Sequence, residues 1–158
     1  MMKGRVCIPI HNERGELIAY AGRFVGDELP EGEGKYLLPP KFHKSLALYN
    51  LHRVRDKKHL IVVKGYFSVF RLFQLGVPAV ALMGSTLSEA QVALLHEAGV
   101  KYLTVMLDGD EAGRSATPAM MERLSKETFR VKFALLPDGT EPDTVREEVL
   151  RELLQLKT

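Results

Sequence analysis

The chain has 158 residues, with 22 Lys and Arg against 20 Asp and Glu for a net charge of +2, and 46% of its side chains are hydrophobic. This composition indicates one ordinary globular domain or two small ones and excludes a disordered tail. No stretch approaches the roughly 18 apolar residues of a membrane span, and no apolar block of a signal peptide follows the N-terminus, so we expect a cytoplasmic protein without membrane contacts. The single cysteine, Cys7, excludes an internal disulfide, and we predict that it is buried as a small apolar residue.

The first part of the chain is basic. Residues 1–58 carry eleven Lys and Arg against seven Asp and Glu, or +4, whereas residues 59–158 carry eleven against thirteen, or −2. The pattern in the first part predicts a hairpin, a Gly- and Pro-rich loop, an extended segment and a short helix. These elements are expected at residues 5–10 and 17–25, 26–34, 35–40 and 45–54, respectively. We therefore predict a small basic α+β subdomain over residues 1–58.

From residue 59 onward, strands and helices alternate regularly. The strands are predicted at residues 60–63, 78–83, 101–107 and 129–136, and the helices at 66–75, 88–98, 113–126 and from about 143 to 156. The first strand is a continuous β-branched run, which is typical of a strand buried on both faces. Because consecutive strands lie too far apart for hairpins, we predict a parallel sheet flanked by helices over residues 59–158.

Acidic residues follow two of these strands. Asp108 and Asp110 come after the third strand, and Glu141 and Asp143 after the fourth. The carboxyl ends of parallel strands meet at one edge of a sheet, so these loops are expected to converge. Several carboxylates there suit Mg²⁺, which keeps waters for substrate phosphates. The alternative is that each acid only caps a following helix.

Longer motifs extend this pattern to a resemblance. The runs at 63–66 (VKGY), 107–114 (LDGDEAGR) and 136–144 (LPDGTEPDT) resemble the toprim domain of bacterial, DnaG-type DNA primases. The runs at 4–10 (GRVCIPI), 15–23 (GELIAYAGR), 35–37 (KYL) and 42–44 (FHK) resemble the basic subdomain that precedes toprim in those enzymes. The resemblance implies a toprim-type sheet after a small α+β basic subdomain. It also implies RNA primer synthesis, a nucleotidyl transfer from ribonucleoside triphosphates on single-stranded DNA, with Mg²⁺ or Mn²⁺.

The first acidic motif departs from that family. Lys64 stands at the catalytic position where those primases have Glu, and Ser68 where they have Asp. The resemblance leaves Asp108 and Asp110 as catalytic and metal-binding residues, with Glu141 and Asp143 as further metal ligands. An ammonium within about 4 Å of Asp108 or Asp110 is attracted by a few kcal/mol, so we expect Lys64 to neutralise the cluster partly and to weaken metal binding. The same carboxylates stabilise its charged form, which argues against Lys64 as a general base.

Three basic residues of the first part match the family's track for template or nucleotide. Arg23, Lys35 and Lys44 occupy these positions, and each would give salt-sensitive attraction to phosphate. Without the resemblance, they read as solvated surface charges. The aromatic residues of the helix predicted at 66–75 recur at helical spacing and are predicted to be core rather than a stacking surface for bases. They are Tyr66, Phe67, Phe70 and Phe73.

Two other functions stay open on the sequence alone. The altered first motif favours a degenerate toprim module that binds nucleic acid or a replication partner without catalysis. A phosphoacceptor domain is disfavoured because Lys64 stands where such domains need an acidic pair. Primases of this family also carry a zinc-binding domain before this region and a helicase-contacting domain after it. We therefore expect a fragment of a longer chain, with no zinc in this chain and with a replicative helicase contacted through domains outside it.

Overall fold

The computed structural model describes residues 2–157. The N-terminal part forms an antiparallel sheet in which β1 (Arg5–His11) pairs with β2 (Leu17–Phe24), and β2 pairs with the short β3 (Tyr36–Leu37). The hairpin turn forms because the Asn12 side chain accepts hydrogen bonds from the backbone N–H groups of Arg14 and Glu16. The predicted hairpin is therefore present.

The second part is a four-stranded parallel sheet. Its strands are β4 (His59–Val63), β5 (Ala79–Ala81), β6 (Tyr102–Val105) and β7 (Arg130–Phe133), in the spatial order β5-β4-β6-β7. The longer helices are α2 (Tyr66–Gln74), α3 (Glu89–Glu97), α4 (Glu111–Ser125) and α5 (Glu147–Leu153). The predicted fold class is confirmed. The predicted Ser88 cap also occurs, because Ser88 and Gln91 form a reciprocal capping box at the start of α3.

The two faces of the parallel sheet are buried in different clusters. Leu60 and Val62 of β4 pack in one cluster with residues of α3 and α4, whereas Ile61 and Val63 pack in another with residues of α2 and α5. Burial on both faces explains the continuous apolar run in β4. Each helix in the described part of the chain is too short or too polar to span a lipid bilayer.

Residues 44–54 join the two sheets, and here the structure differs from the predicted helix over 45–54. A 3-10 turn (Lys44–Leu46) and the short helix α1 (Leu51–Val54) are separated by an extended segment that ends at Asn50, whose φ is +72°. The helix is interrupted because this segment binds the parallel sheet: the backbones of Tyr49 and Ala81 exchange hydrogen bonds. The predicted helix was wrong in this respect.

Two predictions of burial were also wrong. Cys7 is exposed, since it lies on the outward face of the hairpin while its neighbour Ile8 faces the core. Of the aromatic residues of α2, only Tyr66 is buried. Phe67 and Phe70 are partly open and Phe73 is 74% exposed, because α2 packs on the sheet through Val69 and Leu72.

Candidate active site

A cleft of about 360 Å³ lies between the antiparallel sheet and the carboxyl edge of the parallel sheet. Its charged lining comes from both parts of the chain. The basic residues are Arg23, Lys35 and Lys64, and the acidic residues are Asp108, Glu141 and Asp143. Both signs of charge therefore meet in one concave site. Small-molecule sites usually have this concave shape.

Backbone hydrogen bonds hold the two acidic loops together. The Gly109 N–H donates to the Thr140 carbonyl at 2.8 Å, and the Gly139 N–H donates to the Gly109 carbonyl at 2.6 Å. The approach requires glycine, because a Cβ on Gly109 would lie 2.1 Å from the Pro137 carbonyl oxygen. The structure thus brings the loops after β6 and β7 to one edge of the sheet.

The convergence of the two loops brings other charged side chains near the carboxylate of Asp108. Asp108 is partly buried, and its pKa is raised from 3.8 to about 6, first by burial and next by the negative charge of Glu141. Lys64 opposes this shift, while Asp110 and Asp143 add to it. Asp108 therefore lies in a field of negative charge that a cation would relieve.

The other three acids have different local roles. Asp110 is exposed and its side chain accepts a hydrogen bond from the Gly113 N–H at 2.7 Å, so it caps α4 as the alternative interpretation proposed. Asp143 accepts a hydrogen bond from the hydroxyl of the buried Ser68 at 3.3 Å. Glu141 begins a turn in which its N–H donates to the Thr144 hydroxyl at 2.9 Å. Of the four acids predicted for the site, Asp108, Glu141 and Asp143 line the cleft and Asp110 does not.

Lys64 lines the cleft without forming a close ion pair. No carboxylate oxygen of residues 2–157 lies within 4.0 Å of its Nζ, so the expected close pairing with Asp108 or Asp110 is absent. Its charge still lowers the pKa of Asp108 from a longer distance. The amine therefore weakens the negative field of the site without blocking a carboxylate.

The basic residues are divided between two places. Arg23 and Lys35 line the cleft, whereas Lys44 lies beside Gly84, after β5 and outside the lining. The Arg23 guanidinium lies over two rings, 5.3 Å from the centre of Tyr36 and 5.8 Å from that of Phe67. Sequence reasoning missed both rings as parts of the site. The available signals were that Tyr36 directly follows Lys35 and that Phe67 lies in the same short run as Lys64.

The donor set fits a divalent ion that keeps most of its water. Within residues 2–157 no group of three His, Cys, Asp or Glu side chains is arranged to hold a metal ion. Asp108 and Glu141, however, both line the cleft, and the pKa of Asp108 is raised first by burial and next by the charge of Glu141. Mg²⁺ is commonly bound by one or two carboxylates together with waters and substrate phosphates, and this pair supplies that number.

The parallel sheet, its helices and the acidic loops at its carboxyl edge define an α/β domain of toprim type. The family described as Toprim-like matches residues 61–146, and the family described as the N-terminal domain of the DNA primase catalytic core matches residues 1–55. The chain belongs to the toprim-like family and has the catalytic-core fold of the bacterial, DnaG-type DNA primases.

Curated relatives and solved structures agree with this assignment. The chain is 36% identical over 149 residues to a DNA primase of Geobacillus stearothermophilus, which covers 89% of this chain and 24% of that protein. It is 37% identical over 154 residues to a DNA primase of Pseudomonas aeruginosa, with 90% and 22% covered. The chain thus spans about a quarter of the length of these relatives.

Among solved structures, the zinc-binding and RNA polymerase domains of the Aquifex aeolicus primase superpose with a TM-score of 0.83 at 31% identity, covering 98% of this chain and 40% of that one. A DnaG catalytic domain bound to single-stranded DNA superposes with a TM-score of 0.82 at 32% identity, covering 96% and 51%.

Proposed function

We propose that this chain is the core of an enzyme that makes RNA primers by nucleotidyl transfer on single-stranded DNA during replication. The observation that carries the proposal is the cleft in which cations of the first part face the acidic loops of the second. The relatives are named DNA primase, and one similar structure is described as bound to single-stranded DNA. We further propose residues 1–58 as the basic subdomain, residues 59–158 as the toprim domain, and a replicative helicase as a partner reached through domains outside this chain.

In this proposal the basic and the acidic residues of the cleft have different roles. Arg23, Lys35 and Lys64 attract the phosphates of the nucleotide and the template strand. Asp108 and Glu141 would hold Mg²⁺ or Mn²⁺, with Asp143 nearby. The metal ion would neutralise charge that develops on the reacting phosphate. Asp110 keeps the loop in place by capping α4. Lys44, beside Gly84, would extend the positive track beyond the cleft.

The altered first motif predicts a weakened site. Lys64 places a positive charge in the cleft where the family has a carboxylate, and Ser68 supplies a neutral hydroxyl that donates to Asp143. Both changes reduce the negative charge available to a divalent ion. They also support a second candidate function, a module that binds nucleic acid or a replication partner without catalysis.

Primer synthesis by the 158-residue chain tests the proposal. We expect short RNA products on a single-stranded DNA template with ribonucleoside triphosphates and Mn²⁺, and at least a 100-fold loss in Asp108→Ala, because one of two metal-holding carboxylates is removed. Asp138→Ala is the matched control: Asp138 lies in the same acidic region but is exposed, does not line this cleft and is paired with Arg114. It should keep its activity.

Lys64→Glu separates the two candidate functions. If the lysine weakens metal binding, this variant binds Mn²⁺ about tenfold more tightly in calorimetry, because a repulsive charge becomes a ligand. Equal Mn²⁺ affinity would contradict the weakening. Salt-sensitive binding of single-stranded DNA without products, in both the wild type and Lys64→Glu, would reject the enzyme in favour of the module.

A further inference from the structure

The exposed Phe67 ring lies in the wall of the candidate active site. It is 39% exposed although it is a large apolar side chain, and it lines the cleft beside Lys64 and Ser68. Its neighbours on the outer face of α2 differ in this respect, because Phe70 lines a separate groove against the hairpin and Phe73 lines neither. Phe67 is therefore the aromatic residue of α2 whose open surface faces the charged cleft.

Contacts with Phe70 and Arg23 fix the position of this ring. Phe70 packs edge-on against it, with 5.4 Å between the ring centres. The Arg23 guanidinium lies over it and also over Tyr36, so one cation lies against two aromatic rings. Arg23 is held there by these rings and by a hydrogen bond to the Phe24 carbonyl, while its buried Nε has no partner among residues 2–157. A ring held in this way can be contacted without first losing side-chain entropy.

The cleft has an aromatic part and a charged part, as a nucleotide has a base and a phosphate chain. Phe67 supplies an aromatic ring that is 39% exposed in the cleft, and nucleobases stack on such rings. Lys35 and Lys64 supply positive charges for the phosphates. Asp108 and Glu141 can bind a divalent ion together with those phosphates. Every base has a flat π-face, so such a surface tolerates all four bases.

From this arrangement we infer that Phe67 is the stacking surface for the base of a ribonucleoside triphosphate whose phosphates lie towards Lys35 and Lys64. The inference rests on the proposed function, since it assigns the base subsite of the same cleft. It makes Phe67 a binding residue that contributes to affinity for nucleotides in general and does not select one base. Its effect is therefore confined to ligands that have a base.

Two ligands that differ in the base test this inference. Binding of ATP and of inorganic tripolyphosphate, each with Mg²⁺, is measured by calorimetry on the 158-residue chain and on Phe67→Ala. We expect ATP to bind the wild type more tightly than tripolyphosphate, and Phe67→Ala to weaken ATP binding about 5- to 20-fold through loss of stacking. Tripolyphosphate binding should change less than about twofold. Replacing ATP by the other three ribonucleotides should give losses of similar size.

Further variants guard against a change in folding. Phe67→Leu keeps an apolar side chain against Phe70 but removes the aromatic face, and we expect the same selective loss for ATP; Phe67→Tyr should retain the affinity. Phe73→Ala is the matched control on the same helix, outside the cleft, and should leave both ligands unaffected. Equal losses for ATP and tripolyphosphate, or none for ATP, overturn the inference while the proposed function stands. A wild type that binds neither ligand overturns both.

Discussion

Asp108 has an environment that favours its neutral form, and this has a cost for stability. Its folded-state pKa of about 6 exceeds the ordinary 3.8, so between these pH values the folded protein binds more protons than the unfolded chain. Stability therefore falls as pH rises from about 4 to about 6. We predict that Asp108→Asn, measured in EDTA by thermal unfolding, is more stable than the wild type above pH 6 by about 1–2 kcal/mol. The full linkage value is about 3 kcal/mol, and solvent screening of the partly exposed group reduces it.

The difference between Asp108→Asn and the wild type should disappear near pH 4, where the wild-type side chain is already protonated. Asp138→Asn, in the exposed part of the neighbouring loop, is the control and should not be more stable than the wild type. Mg²⁺ should raise the melting temperature of the wild type at pH 7.5 and leave that of Asp108→Asn unchanged. If the stability difference between Asp108→Asn and the wild type is the same at every pH in this range, burial and the neighbouring charges do not destabilise the charged form of Asp108.

At the scale of single residues, the sequence predicted which residues lie at strand ends better than it predicted which side chains are exposed. Asp108 and Glu141 follow strands of one parallel sheet, and topology alone requires such residues to approach each other. The pattern could not show that Phe67 faces a cleft. Helical spacing of aromatic residues identifies a face of α2, but which surface covers that face depends on where the hairpin lies.

The two loops after β6 and β7 act as one element because their backbones are bonded through Gly109. We predict that Gly109→Ala lowers the free energy of unfolding by about 1–3 kcal/mol, since its Cβ would lie 2.1 Å from a backbone oxygen that cannot rotate away. Urea unfolding measures this change. Relief of the clash moves the loops apart, so the Mn²⁺ affinity of the chain should also fall.

Gly65→Ala provides the comparison for Gly109→Ala. Gly65 precedes α2 with an ordinary φ of −118°, and a Cβ there meets no atom within 4 Å. Its replacement should cost less than about 1 kcal/mol. If both alanine variants unfold at the same urea concentration, the close approach of the loops does not limit stability.

Elements with a regular repeat were predictable, and the connecting segment was not. The strands and helices after residue 59 repeat with clear apolar periods, and each is present within a few residues of its predicted bounds. Residues 45–54 contain enough Leu and Ala for a helix, yet Tyr49 bonds to Ala81 through an isolated antiparallel bridge. Tertiary hydrogen bonds outweigh helix propensity there, which amounts to less than about 1 kcal/mol per residue.

At the scale of the whole molecule, the two parts of the chain share one core. Leu48, Leu51 and Val54 pack in the same cluster as Leu60 of the parallel sheet. Polar groups also cross this junction, since Asn50 donates to the Ala79 carbonyl. Because the cleft is built from both parts, their relative position decides whether the cations face the acids.

Gln91 is a buried polar side chain at this junction. It is 1% exposed, and its Nε2 donates to the carbonyls of Lys44 and Ala47 in the first part and of Leu82 in the second. We predict that Gln91→Leu lowers the free energy of unfolding by about 2–4 kcal/mol, because the buried carbonyls lose their donor. In thermal unfolding the melting temperature should fall by roughly 4–16 °C. The transition should stay single, since the apolar core still joins both parts.

Gln74→Leu, at the exposed end of α2, changes the same chemistry without a buried partner and should shift the melting temperature by less than about 2 °C. Hydrogen exchange locates the effect: in Gln91→Leu the amides of residues 46 and 47, in and just after the 3-10 turn, should exchange faster, while those of β4 keep their protection. A second, lower transition in Gln91→Leu would mean that the first part unfolds separately once this clamp is lost. The apolar contacts of Leu48 and Leu51 would then be too weak to join the two walls of the cleft.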